Sequence, residues 1–257
     1  MRLASLLLLL IAGCRAAAAS PVPAPPPAPP PVAATAERAA VVTTAEIELA
    51  PLPPAKVEQI DVPRDVPASY VRARGDTARI VFLPGLCSNA YAYLRTFPEA
   101  ARAHGGVVAI DGDQPCGAPD SGYRMFTWSA PLQRAHIEAA LAALALKAPP
   151  DGLTLVGYSA GASIVQMIHA RWPAEFPRLV IIAPPEEVYV DKLTKARGVV
   201  SMSCRMDVPY LMKAATKQLL AKNVPSIYLE MPGCTHGGVT EGERVFGEAF
   251  DWLDARG

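Results

Sequence analysis

Leu153-Thr154-Leu155-Val156-Gly157-Tyr158-Ser159-Ala160-Gly161 is the stretch on which the fold turns. A short apolar run of strand length ends at Gly157, and helical sequence begins at Ala160 and runs to Ala170. Ser159 therefore sits at the apex of a tight strand-to-helix turn, in a G-x-S-x-G pattern. Such a turn forces the serine backbone into a strained conformation, and the flanking glycines leave room where a β-carbon would collide. The hydroxyl then stands above the end of a sheet, and the helix N-terminus favours negative charge developing beside it. Three spaced residues recur by chance, so the weight lies in their position between a buried strand and a helix.

Outward from the elbow the same alternation continues. Strand-length apolar runs occur at Arg79–Leu83, Val107–Asp111, Leu179–Ala183, Val199–Ser203 and Ser226–Glu230, with Leu153–Gly157 among them. They are continuously apolar rather than alternating, as in parallel strands covered on both faces. Helical stretches are expected at Ala130–Leu146, Ala160–Ala170, Tyr210–Ala221 and Thr240–Ala255. In the first of these, Leu132, Ile137, Leu141, Leu144 and Ala145 form a broad apolar stripe. Glu46–Leu49 and Ser69–Arg72 read as antiparallel edge strands. No internal repeat is present. The pattern is an α/β fold with a mostly parallel central sheet and helices on both faces.

A serine alcohol needs a base, and the base needs an orienting carboxylate. Behind an elbow of this kind the order along the chain is Ser, Asp or Glu, then His. Of the histidines His104, His136, His169 and His236, only the last two follow Ser159. His169 lies ten residues along the elbow helix and points away from its start. His236 follows the last strand, in the loop Pro232-Gly233-Cys234-Thr235-His236-Gly237-Gly238, and is the candidate base. The acid should follow the preceding strand, where Asp207 lies in Cys204-Arg205-Met206-Asp207-Val208-Pro209. Asp207 would equally serve as a helix cap ahead of Pro209. Asp191 competes but precedes that strand, and Glu230 falls inside the last one.

The 257 residues carry 24 basic and 24 acidic side chains and no net charge. That balance excludes a general nucleic-acid binder, which shows a basic excess. The 27 prolines are about twice the usual 5%. Eight of them fall within residues 16–34, alongside eight alanines, which reads as a semi-rigid spacer. Ahead of it, Arg2 precedes the apolar run Leu6–Ala12, ending Leu10-Ile11-Ala12-Gly13-Cys14. This is too short for a membrane span, which needs about 20 residues, and has the layout of a secretory signal. Its ending resembles the bacterial lipoprotein signal, which implies cleavage before Cys14 and acylation of that cysteine. The expected organisation is a signal at 1–14, a linker at 15–44 and one domain at 45–257. Besides Cys14 there are Cys87, Cys116, Cys204 and Cys234. An even number in an exported chain points to disulfides, and four cysteines allow three pairings among which spacing does not choose. No CxxC or His/Cys cluster points to a metal, and no phosphate loop or dinucleotide fingerprint points to a cofactor.

On the elbow, the strand–helix alternation and the Ser159, Asp207, His236 order, residues 75–255 resemble the α/β-hydrolase superfamily of serine hydrolases. The resemblance implies Ser159 as nucleophile, His236 as base and Asp207 as its partner. It also implies an oxyanion hole of two backbone amides, one from Ala160. The other comes from the loop Leu83-Pro84-Gly85-Leu86-Cys87, by position from Leu86, with Cys87 next in line. Many members carry His-Gly there; this chain has Pro84-Gly85, so a link to the HGGG branch is unsupported. In the family's strand order Cys87 and Cys116 follow one neighbouring pair of strands, and Cys204 and Cys234 another. The resemblance thereby implies the bridges Cys87–Cys116 and Cys204–Cys234. Only about 15 residues separate the strand Leu179–Ala183 from Val199, which leaves no room for the family's cap domain. Tyr91, Tyr93 and the stretch Gly122–Trp128 are candidates for the pocket lining or for packing beneath the loops.

The expected activity is cofactor-independent hydrolysis of an ester or related acyl bond of a small-molecule or acyl substrate. Peptidase, amidase, thioesterase and acyltransferase chemistry use the same triad, because substrate choice lies in pocket shape. A non-catalytic binding protein of the cell envelope is the alternative of a different class. The expected location is the bacterial cell envelope, with membrane contact through the N-terminal lipid alone.

Overall fold

Eight strands hydrogen-bond into one sheet, and their apolar residues divide cleanly between its two faces. The computed structural model describes residues 53–73, 76–118 and 121–256. The signal, the spacer, Cys14 and the strand expected at Glu46–Leu49 lie outside them. The sheet strands are β1 (Val57–Ile60), β2 (Ala68–Val71), β3 (Ile80–Leu83), β4 (Val107–Ile110), β7 (Thr154–Tyr158), β8 (Arg178–Ile182), β9 (Gly198–Cys204) and β10 (Ser226–Met231). A separate ribbon pairs β5 (Gln114–Pro115) with β6 (Arg124–Met125). The order is β1-β2-β4-β3-β7-β8-β9-β10. β1, β2 and β4 pair antiparallel, and every pair from β4 to β10 is parallel. All C-terminal ends of the parallel strands therefore lie along one edge.

Side chains alternate across a strand, so each strand feeds both layers. Val81, Leu83, Leu155, Leu179, Ile181 and Val199 join one core cluster. Helices α3 (Ala130–Ala143), α4 (Ala160–Arg171) and α5 (Pro209–Ala221) cover it through Ile137, Ile164, Ile168, Met212 and Leu219. Phe82, Val156, Val180, Val200 and Met202 join the other cluster. There α1 (Ala90–Leu94), α2 (Pro98–Ala103) with its N-cap residue, and α6 (Gly242–Asp254) contribute Leu94, Phe97, Phe246 and Phe250. Phe97 stacks on Phe246 with ring centroids 3.8 Å apart.

Two sequence expectations need correction, and two helices lie where the sequence pattern marks no element. β2 is antiparallel but not an edge, because β1 lies outside it. The unmarked helices are α1 and α2. On α3 the buried stripe is Ala130, Gln133, Ile137, Ala140 and Leu141, whereas Leu132 and Ala145 face solvent. Ser129 caps α3 by accepting from the Leu132 amide, and in the first turns Ala130 and Gln133 rather than Leu132 meet the core. Between β8 and β9 the only regular element is a 3₁₀ turn at Val190–Leu193, and no cap domain is inserted.

His169 is fully buried on α4, with Nδ1 2.7 Å from the Phe176 carbonyl oxygen. Burial lowers its pKa below the ordinary 6.5, opposed in part by that hydrogen bond. The unfolded chain then binds a proton that the folded one refuses, so stability is intact above about pH 6.5 and declines as pH falls below it. The urea midpoint is expected to drop between pH 7.5 and 5.5. His169→Gln, which keeps a donor for Phe176, should flatten that slope; an unchanged slope would exclude His169 as its source.

Candidate active site

Ser159 links β7 to α4 with φ 52° and ψ −119°, a left-handed conformation that non-glycine residues rarely hold. A backbone of this kind costs on the order of 1–3 kcal/mol and persists only where neighbours fix it. Here its amide donates to the Ile182 carbonyl at 2.8 Å, and its own carbonyl accepts from Ala162 at 2.9 Å. A β-carbon on Gly157 would fall on the Gly161 carbonyl and lie 2.6 Å from Ala162 Cα. One on Gly161 would fall on the Leu83 carbonyl, with that of Pro84 at 2.5 Å. The turn closes only with glycine at both places. Gly85 approaches from the neighbouring loop, where a β-carbon would lie 3.2 Å from Ser159 Cβ.

His236 reaches the serine from the loop after β10. The Gly238 amide donates to the Thr235 carbonyl at 3.1 Å, and Gly237 has φ +86°, as the third position of a type II turn requires. This sets His236 at the turn's second position, its imidazole leaning over the strand ends. Nε2 lies 2.9 Å from Ser159 Oγ, and Nδ1 lies 2.8 Å from Asp207 Oδ2. Asp207 follows β9 and its side chain is 8% exposed, whereas that of His236 is 47% exposed. The structure thus brings Ser159, His236 and Asp207 into one hydrogen-bonded row. Asp191 lies elsewhere, paired with Lys222 at 2.7 Å, and Glu230 faces Lys213 and Tyr228. His104 pairs with Asp254 at 2.9 Å and His136 faces Asp65, so neither approaches Ser159.

Ala160 opens α4, where an amide has no partner within the helix. Among the described residues the hydrogen bonds include none donated by the Ala160, Leu86 or Cys87 amides. Leu86 is 58% exposed, and its loop is braced by Ser88 Oγ donating to the Gly85 carbonyl at 2.6 Å. Among the described residues no group of three His, Cys, Asp or Glu side chains converges as a metal site would.

The fold of the domain recurs in solved structures. A predicted CIB-like hydrolase of Thermoplasma acidophilum superposes with a TM-score of 0.59 at 17% identity, over 79% of this chain and 99% of that one. The fold is the α/β-hydrolase fold. The fluorophosphonate-binding serine hydrolase FphF of Staphylococcus aureus, with substrate bound, matches at 0.57 and 12% identity, over 78% and 99%. Esterase PE8 matches at 0.54 and 18% identity, over 73% and 97%. No protein-family model and no curated protein matches the sequence.

In this hydrolase fold both bridges, Cys87–Cys116 and Cys204–Cys234, are formed, with Cα separations of 5.2 and 5.1 Å. The second joins the ends of β9 and β10, where Cys204 lies opposite Met231. The Met206 amide adds a hydrogen bond to the Cys234 carbonyl at 3.2 Å. The loops carrying Asp207 and His236 are therefore stapled together. Reduction under native conditions is expected to cost activity before it unfolds the core. Esterase assays and circular dichroism across a dithiothreitol series test this; unchanged turnover with the thiols fully free would overturn it.

A cleft of 310 Å³ opens beside the row, lined by Cys87, Ser88, Asn89, Tyr93, Tyr123 and Gly237 among others, none of them charged. Tyr93 and Tyr123, of the aromatic candidates, thus reach it. Tyr91 instead lies under Arg95, Phe126 is in the core, and Trp128 borders a different groove with Arg171 and Lys192. Two aspartates that belong to no sequence motif shape this rim. Asp111 Oδ1 accepts from the Ala90 amide at 2.7 Å, and burial pushes its carboxyl pKa up. Asp113 is pulled up by burial, yet hydrogen bonds from Thr127, Gln114 and Gln133 outweigh this and hold it well below the usual carboxylate range. Asp113 so pins the Arg124–Thr127 stretch that carries the Cys116 loop.

Proposed function

We propose that this chain is a serine hydrolase that cleaves carboxylic esters through an acyl-enzyme. The observation that carries the reading is the row Ser159 Oγ–His236 Nε2–His236 Nδ1–Asp207 Oδ2, with links of 2.9 and 2.8 Å at a strained elbow. Asp207 accepts a hydrogen bond from Nδ1–H, which leaves the Nε2 lone pair facing the serine hydroxyl. Ser159 Oγ attacks the ester carbonyl carbon while Nε2 takes its proton. The carbonyl oxygen becomes an oxyanion held by the amides of Ala160 and Leu86. His236 then returns the proton to the departing alcohol oxygen as its bond to carbon breaks. A water attacks the acyl-serine with His236 as base, freeing the acid and restoring the serine.

Ester chemistry is preferred over amide because the adjoining cleft is open and uncharged, and because structures sharing the fold bear the names esterase and serine hydrolase. Two disulfides favour an oxidising, exported setting. Export as a lipoprotein through Cys14, with residues 15–44 as spacer, belongs to the same proposal. Among the described residues no helix is long and apolar enough to cross a membrane. The test is a panel of p-nitrophenyl esters from acetate to palmitate beside matched anilides and thioesters. Esters should be turned over at least 100-fold faster than the anilides. Preference for the anilides would replace esterase by amidase, and no turnover of any would discard the hydrolase reading.

A further inference from the structure

The imidazole of His236 is nearly half exposed, so beyond its hydrogen bonds to Asp207 and Ser159 little but its backbone is left by which to fix it. The turn that carries it supplies one internal hydrogen bond, from the Gly238 amide to the Thr235 carbonyl. Three further bonds arrive at the two residues after His236, all from tyrosine hydroxyls of distant elements. Tyr158 Oη accepts from the Gly237 amide at 2.8 Å and donates to the Gly238 carbonyl at 3.3 Å. Tyr93 Oη donates to the Gly237 carbonyl at 3.0 Å. The two consecutive peptide groups that flank the Gly237 Cα are so gripped, one through its N–H and the other through its carbonyl. The rings form a continuous row of tilted and edge-on contacts behind the hydroxyls. Tyr93 lies 5.2 Å from Tyr158, and Tyr158 meets the His236 ring edge-on at 5.7 Å.

We propose that Tyr158 and Tyr93 are positioning residues that hold His236 over Ser159 by fixing the Gly237–Gly238 backbone. The inference rests on the proposed triad. Tyr158 neighbours the nucleophile in sequence, so one residue ties the elbow to a loop 79 positions away. A displacement of 1 Å between base and nucleophile costs about 100-fold in rate, which is the scale such a tie protects. Tyr158 is wholly buried and cannot exchange its partners for water. Burial, with the Gly237 hydrogen bond opposing and Tyr93 and Asp207 reinforcing, raises its pKa beyond the ordinary tyrosine value of 10.0. The hydroxyl therefore keeps its proton, and with it the bond to Gly238, across the working pH range. Packing alone would be served as well by phenylalanine, which fills the same space and makes none of these bonds.

Tyr158→Phe and Tyr93→Phe separate the hydroxyls from the rings. With an ester that the wild type turns over, Tyr158→Phe should lower kcat by about 10- to 100-fold and leave KM within about twofold. Tyr93→Phe should lower it about three- to tenfold in the same sense. The deciding measurement repeats Tyr158→Phe in a His236→Ala background, using its residual activity. A hydroxyl that acts only through His236 should there cost less than twofold, whereas a general structural lesion would cost as much as before. Thermal melts check that the variants fold. Should Tyr158→Phe not fold, Tyr93→Phe and its own cycle with His236→Ala carry the test. A folded Tyr158→Phe with wild-type kcat, or an equal loss in both backgrounds, would overturn the proposal while leaving the triad intact. A wild type that neither turns over esters nor labels at Ser159 with a fluorophosphonate would instead remove the triad reading beneath it.

Discussion

Ser159→Ala should lower ester turnover by about 10⁴- to 10⁶-fold with little change in melting temperature. The substitution removes the atom that forms the acyl bond and nothing else of the site. The left-handed backbone at φ 52° is no easier for alanine than for serine, so the elbow's strain is unchanged. The two oxyanion amides remain, and binding with oxyanion stabilisation alone leaves on the order of 10³-fold catalysis over water. A fluorophosphonate should label the wild type at Ser159 and leave Ser159→Ala unlabelled, read by mass spectrometry of the intact chain. His236→Ala is expected to cost a similar factor. The double variant should cost scarcely more, because the two atoms, 2.9 Å apart, act as one unit. Full labelling of Ser159→Ala at another serine would move the nucleophile and with it the whole mechanism.

Much of this site was legible in the sequence because its constraints are local. The elbow is a five-residue pattern, and the clash that requires Gly157 lies within its own turn. Chain order then selects among few histidines and carboxylates, and His236 and Asp207 fall at ends of adjacent strands β10 and β9. Both disulfides have the pairing that the family's strand order implies.

The parts that were not legible lack a periodic signal or need a long-range contact. α1 spans five residues and α2 six, too short for an amphipathic period to declare itself. Their caps were visible only as an isolated Asn89, which accepts from the Ala92 amide, and as Pro98 at the start of α2. β1 reads Val-Glu-Gln-Ile with its middle exposed, so neither alternation nor a continuous apolar run marks it. Tyr158 occupies the free position of the G-x-S-x-G pattern, and its two partners lie 79 and 80 residues on, beyond any local rule. Asp113 is likewise known only by what it gathers, from Thr127 and Gln133.

Gly161→Ala should be among the most damaging glycine substitutions of the described residues, and Gly247→Ala, the same change, should stabilise the protein. At Gly161 the new β-carbon would fall on the Leu83 carbonyl and within 2.5 Å of that of Pro84, closer than the 3.0 Å that real Cβ atoms respect. Both obstacles are backbone, at the end of β3 and the start of the oxyanion loop, so no side chain can swing aside. Ordinary overpacking costs about 1–3 kcal/mol, and an immovable neighbour puts this case at or above the upper end. For a domain of this size, that is a fall of about 10 °C in melting temperature. Relief requires α4 to lift from β3, which separates Ser159 from the Leu86 amide, so activity should fall at least 100-fold even where the protein still folds. Gly247 sits mid-helix in α6 with ordinary φ, and its β-carbon would meet only Ala100 Cβ at 4.0 Å. There alanine removes backbone freedom from the unfolded chain and is worth about 0.5–1 kcal/mol, or a rise of about 1–4 °C. Melting curves and ester turnover of the two variants decide the matter. A Gly161→Ala protein as stable and active as the wild type would mean that the elbow does not pack against β3 as described.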